Sequence, residues 1–316
     1  MKVNYRILIS AGLAFSLLSC ATTKIEEEVL QNTTSDPTPQ VIEEVKTQED
    51  IYAELVRKDV KLTLVSSPAA VNINKSFSKP YVFAVTHADG TAYPDFLIDV
   101  TYPAEKKSEV IFKTEQFTSD AQGLVTFTPA NASFAASELV TARAALLYED
   151  ENVKEAVVST CVSAPYLVRS DISSKGAVLF IWDYNEKGRP VNNSTHVQSE
   201  FRSRGITLVG NGPVNETSYI GRNSALYRDT YEIIGGDAYG YLISGTIKFV
   251  KPVEADGDEY VCSLIADISG IKMKDGSEIF SKTLTHEARG KNWTVCTTKC
   301  KEELAKMIVD ALIYGL

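Results

Sequence analysis

The chain has 316 residues, of which 44% are hydrophobic and 23% charged. This composition suits two globular domains of about 100 to 150 residues each and argues against one long disordered chain. With 32 basic and 41 acidic side chains the formal net charge is -9, which disfavours a nucleic-acid binder that relies on a basic surface.

The first twenty residues predict export and lipidation. Lys2 and Arg6 precede an apolar stretch at residues 7–18, which is too short to cross a bilayer and has the layout of a secretory signal peptide, residues 1–19. Leu17-Leu18-Ser19-Cys20 resembles the bacterial lipobox, whose cysteine receives diacylglycerol before cleavage. The resemblance implies that acylated Cys20 holds the protein on a membrane, since each buried CH₂ contributes about 0.8 kcal/mol. A plain secretory signal with an incidental cysteine is the alternative.

Residues 20–60 are expected to form a lipidated acidic tether. From residue 21 to residue 60 there are ten acidic and four basic side chains and little apolar patterning, which is typical of a solvated linker. As a flexible coil this length spans on the order of 35 Å. The end of the segment, from Thr47 through Lys58, predicts a short helix with Thr47 as its N-cap.

Residues 61–168 contain short β-rich runs separated by turn sequences such as Asp89-Gly90 and Gln122-Gly123. Seven short strands in about a hundred residues predict an all-β sandwich. The candidate strands are residues 61–65, 81–85, 96–100, 110–112, 124–127, 139–144 and 153–161.

This region resembles the immunoglobulin-like (invasin-type) domains of bacterial envelope proteins. The likeness lies in the Asp-Gly loop of residues 87–94 and in the Thr-Ser-Asp-Ala-Gln-Gly-Leu-Val-Thr-Phe run of residues 118–127. It implies an immunoglobulin-like sandwich that acts as a spacer or as a binding module, and the fold alone does not decide which.

Residues 175–316 change to a pattern in which strands and helices alternate. The continuous apolar run at residues 177–184 predicts a strand that is buried on both faces. The whole region predicts an α/β sandwich, a mixed sheet with helices. Its other expected elements are helices at residues 191–204, 222–234 and 299–314, and strands at residues 205–210, 241–249, 260–268 and 279–288.

The order of these elements resembles a family that includes the curli-secretion lipoproteins, the lipoprotein activators of penicillin-binding proteins and the amino-terminal domain of TolB. The likeness rests on residues 178–184, 236–245 and 264–280 and on the final helix. It implies a part that binds or assembles rather than a catalyst.

No catalytic or cofactor motif accompanies this pattern. The sequences G-x-S-x-G, H-E-x-x-H and G-x-x-x-x-G-K are absent, and the S-x-x-K match at Ser76–Lys79 has neither of its partner motifs. The three histidines lie in different segments. We therefore expect no enzyme, no cofactor and no metal site.

Four cysteines remain after Cys20, and an exported chain can keep disulfide bonds. If the turn before the last strand centres near Asp275, Cys262 lies opposite residues near Glu287, so a bridge to Cys296 or Cys300 is feasible. A bridge between Cys296 and Cys300 is the rival, and Cys161 has no assigned partner. Zinc binding through Cys296, Cys300 and others is a minor alternative, since the spacing is not a paired C-x-x-C.

These features together predict a lipid-anchored protein of the bacterial envelope, on the outer membrane facing the periplasm or at the cell surface. The carboxyl-terminal region is expected to dock on an envelope protein or on a second copy, in envelope biogenesis, secretion or regulation of a peptidoglycan synthase, and to bind no nucleic acid. The alternative is a surface adhesin that binds through the immunoglobulin-like domain.

Overall fold

The computed structural model describes residues 46–107 and 109–316 of the chain. The predicted signal peptide, the lipidation residue Cys20 and most of the predicted tether lie outside the described residues. Within the described ranges, no helix has the length and apolar character that a membrane crossing needs.

The first half of the described chain forms two sheets. The elements are α1 (Gln48–Asp59), β1 (Lys61–Ser66), β2 (Val71–Asn72), β3 (Tyr81–Thr86), β4 (Leu97–Lys106), β5 (Val110–Thr118), β6 (Leu124–Phe127), β7 (Ala136–Ala144), α2 (Glu151–Ser159) and β8 (Val162–Arg169). One sheet has the strand order β1-β3-β6, and the other has the order β2-β8-β7-β4-β5, in which only the β2 and β8 pair is parallel.

The two sheets share one core because each strand alternates apolar and polar residues. Phe83 from the three-stranded sheet and Val100 and Val140 from the five-stranded sheet are buried in the same cluster. The ring of Phe127 lies 4.7 Å from that of Tyr102 between centroids, across the two sheets. Six of the seven runs predicted in this region are strands or parts of strands.

The seventh run, residues 153–161, is not the strand that we predicted. It lies largely in α2, which begins after the N-cap Asp150, whose side chain accepts hydrogen bonds from the backbone of Asn152 and Val153. Val153, Ala156 and Val157 are buried, which is the i, i+3, i+4 spacing of a helix. The cap and this spacing outweigh the strand propensity of the valines.

Helix α1 confirms the helix predicted before residue 60. The hydroxyl of Thr47 accepts a hydrogen bond from the Asp50 amide, and the Asp50 carboxylate accepts one from the Thr47 amide, so both halves of a capping box are present. Ala53 and Val56 are buried against the first half's core, and α1 packs on α2. Residues 48–59, which the sequence analysis includes in the tether, therefore belong to the packed structure.

The second half forms one seven-stranded mixed sheet with helices, so the mixed α/β class predicted for the protein is confirmed. The elements are α3 (Ile172–Lys175), β9 (Ala177–Tyr184), β10 (Pro190–Asn193), α4 (Thr195–Ser203), β11 (Val209–Asn211), a 3-10 helix (Thr217–Tyr219), α5 (Asn223–Ile234), β12 (Tyr241–Phe249), β13 (Glu254–Asp256), β14 (Glu259–Lys272), β15 (Glu278–Gly290) and α6 (Trp293–Gly315). The strands run in the order β10-β9-β12-β14-β15, with β11 beside β9 and β13 beside β14. Strand β9 is parallel to β11 and β12.

Most of these elements lie where the sequence predicts them, with two differences. The segment predicted as a helix from residue 191 splits into β10 and α4, because Ser194 takes a left-handed conformation between them. The predicted strand at residues 205–210 pairs with β9 only from Val209 to Asn211.

Helices α4 and α6 cover one face of this sheet. Leu179, Ile243 and Leu264 point into a core that Phe201 of α4 and Ile308 of α6 complete. The other face is covered only in part, by α5 packing over Val178, Leu242 and Ile271.

The last turn of α6 joins the two halves, which form one compact unit. The Ser170 amide donates to the Ile313 carbonyl at 2.7 Å, and the Lys106 ammonium of β4 donates to the Gly315 carbonyl at 2.7 Å. A cation at a helix carboxyl end is favourable because unpaired carbonyls leave negative charge there. Desolvation lowers the pKa of Lys106.

Candidate functional site

A cleft of about 330 Å³ lies at the ends of the central strands of the second half. The neighbouring strands β9 and β12 are parallel and end at Tyr184 and Phe249, next to the start of α6 at Trp293. Open α/β sheets commonly bind ligands outside the carboxyl ends of their strands. We call this site the Trp293 cleft and define it by Tyr184, Glu186, Val191, Phe249, Trp293 and Lys301.

The indole of Trp293 is held in place although 45% of the residue is exposed. Its Nε1 donates to Glu186 Oε1 at 2.9 Å, and the same oxygen accepts from the Val253 amide at 3.1 Å. The carboxylate thus joins the loop after β9, the loop after β12 and the start of α6. A fixed, exposed indole offers a large contact area without an entropic cost of ordering it.

A buried ion pair lies beneath the cleft. Lys301 Nζ is 3.0 Å from Asp183 Oδ2, with side-chain exposures of 14% and 2%. Asp183 is the one charged residue in the apolar strand β9, and Lys301 lies two turns into α6. Because an unpaired buried charge costs several kcal/mol, this pair fixes α6 against the strand that ends at the cleft.

The start of α6 is fixed by its cap. The Asn292 side chain accepts a hydrogen bond from the Val295 amide at 2.9 Å, which satisfies one of the free amides of the first turn. Trp293 is the first residue of the helix, so the cap and the Glu186 bond together determine where the indole lies.

The lining of the cleft includes exposed apolar and aromatic side chains. Val191 is 47% exposed, and it lines the cleft together with Phe249, Tyr184 and Trp293. The Lys248 ammonium lies 5.2 Å from the ring centre of Tyr184. Exposed apolar and aromatic side chains that are grouped in this way are typical of protein interaction sites.

The four described cysteines do not support the predicted disulfide bonds. Cys161, Cys262, Cys296 and Cys300 are all free thiols, and no two of them are at bonding distance. The predicted register is confirmed nonetheless, since Cys262 lies opposite Ala288, one residue from Glu287. The structure brings Cys262, Cys296 and Cys300 into one core and leaves Cys161 exposed in the first half.

Two of the three buried thiols donate to main-chain carbonyls instead. Cys300 Sγ donates to the Cys262 carbonyl at 3.3 Å, and Cys296 Sγ donates to the Ala288 carbonyl at 3.2 Å. The contact with the Cys300 side chain, together with burial, raises the pKa of the Cys262 thiol, and burial raises that of Cys296. These thiols pack as small apolar groups, and within residues 46–107 and 109–316 no three Cys, His, Asp or Glu side chains group as metal ligands would.

None of the residues of the Trp293 cleft was singled out by the sequence analysis as a site. They come from four separate segments, near residues 184, 191, 249 and 293, which only the fold brings together. The sequence carried one signal for this site, Asp183, which is a carboxylate inside an otherwise apolar strand. Because a buried charge needs a partner, Asp183 indicated that a basic side chain would pack against the end of this strand.

Comparison with protein families gives one match. Residues 176–313 match the family model of the TP0693-like lipoprotein C-terminal domain. The second half of this chain is therefore similar to a domain of bacterial lipoproteins, and the match supports association with the cell envelope. Comparison with curated proteins gives no match.

Several solved structures are also similar to part of the chain. PelC from Paraburkholderia phytofirmans, solved as a dodecamer, is 16% identical over 44% of this chain and 87% of its own, with a TM-score of 0.29. Lipoprotein GNA1162 from Neisseria meningitidis is 15% identical over 43% and 94%, with a TM-score of 0.22. CT253 from Chlamydia trachomatis is 10% identical over 43% and 95%, with a TM-score of 0.27. Scores this low establish no shared function.

Proposed function

We propose that this protein is a lipid-anchored, non-catalytic docking or assembly factor of the bacterial envelope. Cys20 at the end of a lipobox supplies the anchor in this proposal, and the match of residues 176–313 to a lipoprotein domain supports it. The proposed location is the outer membrane facing the periplasm, and the proposed role lies in envelope biogenesis, secretion or regulation of a peptidoglycan synthase.

The Trp293 cleft is the observation that carries the docking role. Trp293 is exposed yet held by Glu186, and it lies between Val191 and Phe249 at the end of the sheet. Tryptophan residues in such positions often dominate binding energy at protein interfaces. We infer that an envelope protein inserts an apolar side chain here, with a second copy of this chain as the other occupant to test.

The immunoglobulin-like assignment of the first half is part of the same proposal. Immunoglobulin domains place strands A, B and E in one sheet and strands C, F and G in the other. The orders β1-β3-β6 and β8-β7-β4-β5 are compatible with A-B-E and G-F-C-C′ in this scheme. In the proposed arrangement this half is a spacer between the lipid anchor and the Trp293 cleft.

In-cell photocrosslinking tests the docking role. A photoreactive residue at Val191, on the cleft, is compared with one at Val158, which is exposed on α2 in the first half. We expect an identified envelope protein or a second copy to crosslink from position 191, and we expect Trp293→Ala to abolish that product. Equal capture from position 158, or capture that persists in Trp293→Ala, would contradict the proposal.

The anchor is tested separately by replacing Cys20 with serine. We expect the wild-type chain to be acylated and to partition with membranes, and Cys20→Ser to be neither acylated nor membrane-bound. Unchanged partitioning and acylation of the variant would remove the anchor from the proposal.

A surface adhesin is the second candidate function, and one observation favours it. Ile111 and Phe112 are exposed on β5, an edge strand of the first half, where another protein could pair or pack. Protease treatment of intact cells separates the two candidates, because a periplasmic chain survives and a surface adhesin is cleaved.

A further inference from the structure

A second cleft, of about 280 Å³, lies on the partly covered face of the second half's sheet. Its floor is formed by Ser244 and Thr246 of β12, Asp267 of β14 and Thr283 of β15, which are side by side in the strand register. The segment before α5, with Tyr219, forms a wall. We call this site the Thr246 cleft, and it is distinct from the Trp293 cleft.

Helix α5 points its amino-terminal end at this cleft. Asn223, the first residue of the helix, accepts a hydrogen bond from the Ser244 hydroxyl of β12. One turn later, the Tyr227 hydroxyl donates to the Met273 carbonyl, and the Met273 amide donates to the Gly240 carbonyl next to the start of β12. The helix therefore runs along β12 from the level of residue 244 towards residue 240, with its start directed towards Thr246.

The start of α5 carries free amides. Arg222 occupies the N-cap position without a side-chain cap, and among the described residues the amides of Asn223, Ser224 and Ala225 have no hydrogen-bond partner. Unpaired amides and the helix dipole favour an anion at such an end.

Thr246 gives an independent indication of a ligand. It is only 8% exposed and lines the cleft, yet among the described residues its hydroxyl makes no hydrogen bond. Its neighbour Ser244 is 4% exposed and bonds the Asn223 side chain at 2.8 Å. The Thr246 hydroxyl is therefore left for a group that enters the cleft, and a bound hydroxyl or anion would supply its hydrogen bond.

The remaining side chains of the cleft specify the ligand's chemistry. Lys248 brings positive charge, and Phe180 and Tyr219 supply apolar surface. Asp267 is the carboxylate of the floor, and its Oδ1 already accepts a hydrogen bond from the Thr283 hydroxyl at 2.7 Å. The Lys248 ammonium and the helix start favour an anionic group, while the hydroxyl-rich floor and the aromatic wall favour a hydroxylated body.

We propose that the Thr246 cleft binds a small hydroxylated organic anion of about monosaccharide size, such as a sugar acid or a sugar phosphate. Its carboxylate or phosphate lies at the start of α5 near Lys248, and one of its hydroxyls bonds Thr246. This site goes beyond the docking role, because it takes a small molecule on a different face of the domain.

Isothermal titration of the full-length protein in detergent micelles tests the proposal with four probes: glucuronate, glucose 6-phosphate, glucose and inorganic phosphate. We expect one or both sugar anions to bind with a Kd of about 1 mM or lower, and more tightly than glucose or phosphate. The preferred sugar anion distinguishes a carboxylate from a phosphate ligand.

Substitutions then locate the binding. Thr246→Val keeps the side chain's shape and removes the hydroxyl, so we expect affinity to fall roughly tenfold. Lys248→Gln, at an exposed position, tests the anionic group without a risk to folding and is expected to weaken binding by a similar factor. Thr285→Val, an exposed threonine on β15 outside the cleft, is the matched control and should bind as wild type.

The proposal is overturned if neither sugar anion binds, if glucose or phosphate alone binds as tightly, or if neither Thr246→Val nor Lys248→Gln weakens binding relative to Thr285→Val. Loss of docking at the Trp293 cleft has no bearing on these results, since the two sites are assayed with different ligands.

Discussion

The two faces of the second half's sheet are made by the same strands but differ in how completely helices cover them. In β12, Ile243 and Ile247 point into the core beneath α6, whereas Ser244, Thr246 and Lys248 point to the face that α5 covers only in part. One face is apolar apart from the buried Asp183–Lys301 pair, and the other changes from apolar beneath α5 to hydroxyl-rich beyond it. The comparison teaches that stability comes mainly from the covered face, whereas the sites that we propose for recognition lie on the open face and at the strand ends.

The reactivity of the thiols should separate the covered core from the surface most strongly. Cys262 lies on β14 beneath α6, and Cys296 and Cys300 are buried on the face of α6 that packs on the sheet. The raised pKa values of Cys262 and Cys296 also keep these two thiols neutral. Because all three are buried, they should react with a maleimide only when the core opens. We expect exposed Cys161 to react at least about a thousandfold faster. Peptide mass spectrometry after timed labelling measures this difference.

Two outcomes of that labelling would contradict this description of the core. Equal labelling rates at Cys161 and at the three buried cysteines would mean that α6 does not pack closely on the sheet. Cysteines that stay unlabelled in denaturant without reductant would mean that they form a disulfide bond.

Removing a large side chain from the covered face should be the next largest effect. Phe201 of α4 is fully buried in that core, so Phe201→Ala should lower the free energy of unfolding by about 3–5 kcal/mol. On the open face, Thr285→Ala should change it by less than about 0.5 kcal/mol. Urea unfolding measures both, and similar losses in the two variants would end the distinction between the faces.

The buried ion pair should have a somewhat smaller effect. Lys301→Met leaves the Asp183 carboxylate buried without its partner, and we expect a loss of about 3 kcal/mol. Lys299→Met, an exposed lysine on the same helix, is the control and should be nearly neutral. If both variants unfold at the same urea concentration as wild type, Asp183 and Lys301 do not fix α6 on the sheet.

The cap of α6 should give the smallest effect. Asn292→Ala removes the bond to the Val295 amide, and about 1 kcal/mol of stability should be lost. Thr298→Ala, at an exposed position in the same helix, controls for a change in helix propensity. Thermal unfolding followed by circular dichroism would contradict the role of the cap if the two variants had equal Tm values.

The strands and helices with strong periodicity could be predicted from the sequence. Strand β9 and helix α6 lie where they were expected. The apolar run at residues 177–184 fits only a strand that is buried on both faces, and the stripe of Leu304, Ile308 and Leu312 fits only a helix with one buried face. Helix α2 was missed because its valines favour a strand locally, and only the cap at Asp150 and the packing on α1 decide for a helix.

The sites could not be predicted in the same way. Trp293 and Glu186 are more than a hundred positions apart in the chain, and no short motif links them. The Thr246 cleft depends on where α5 begins along the sheet, a tertiary property that alternation in β12 does not specify. The cysteines show the reverse case. The strand register that places Cys262 near Glu287 was predictable, but the disulfide bonds inferred from that register were not found.

Docking through the Trp293 cleft is tested most directly by measuring the affinity of the crosslinked envelope partner for three forms of the chain. Wild type is compared with Trp293→Ala and with Phe112→Ala, which removes an exposed aromatic from the first half. We predict about a tenfold or greater rise in Kd for Trp293→Ala and no change for Phe112→Ala. Unchanged affinity in Trp293→Ala, or a loss confined to Phe112→Ala, would contradict docking by the second half and favour binding through the first.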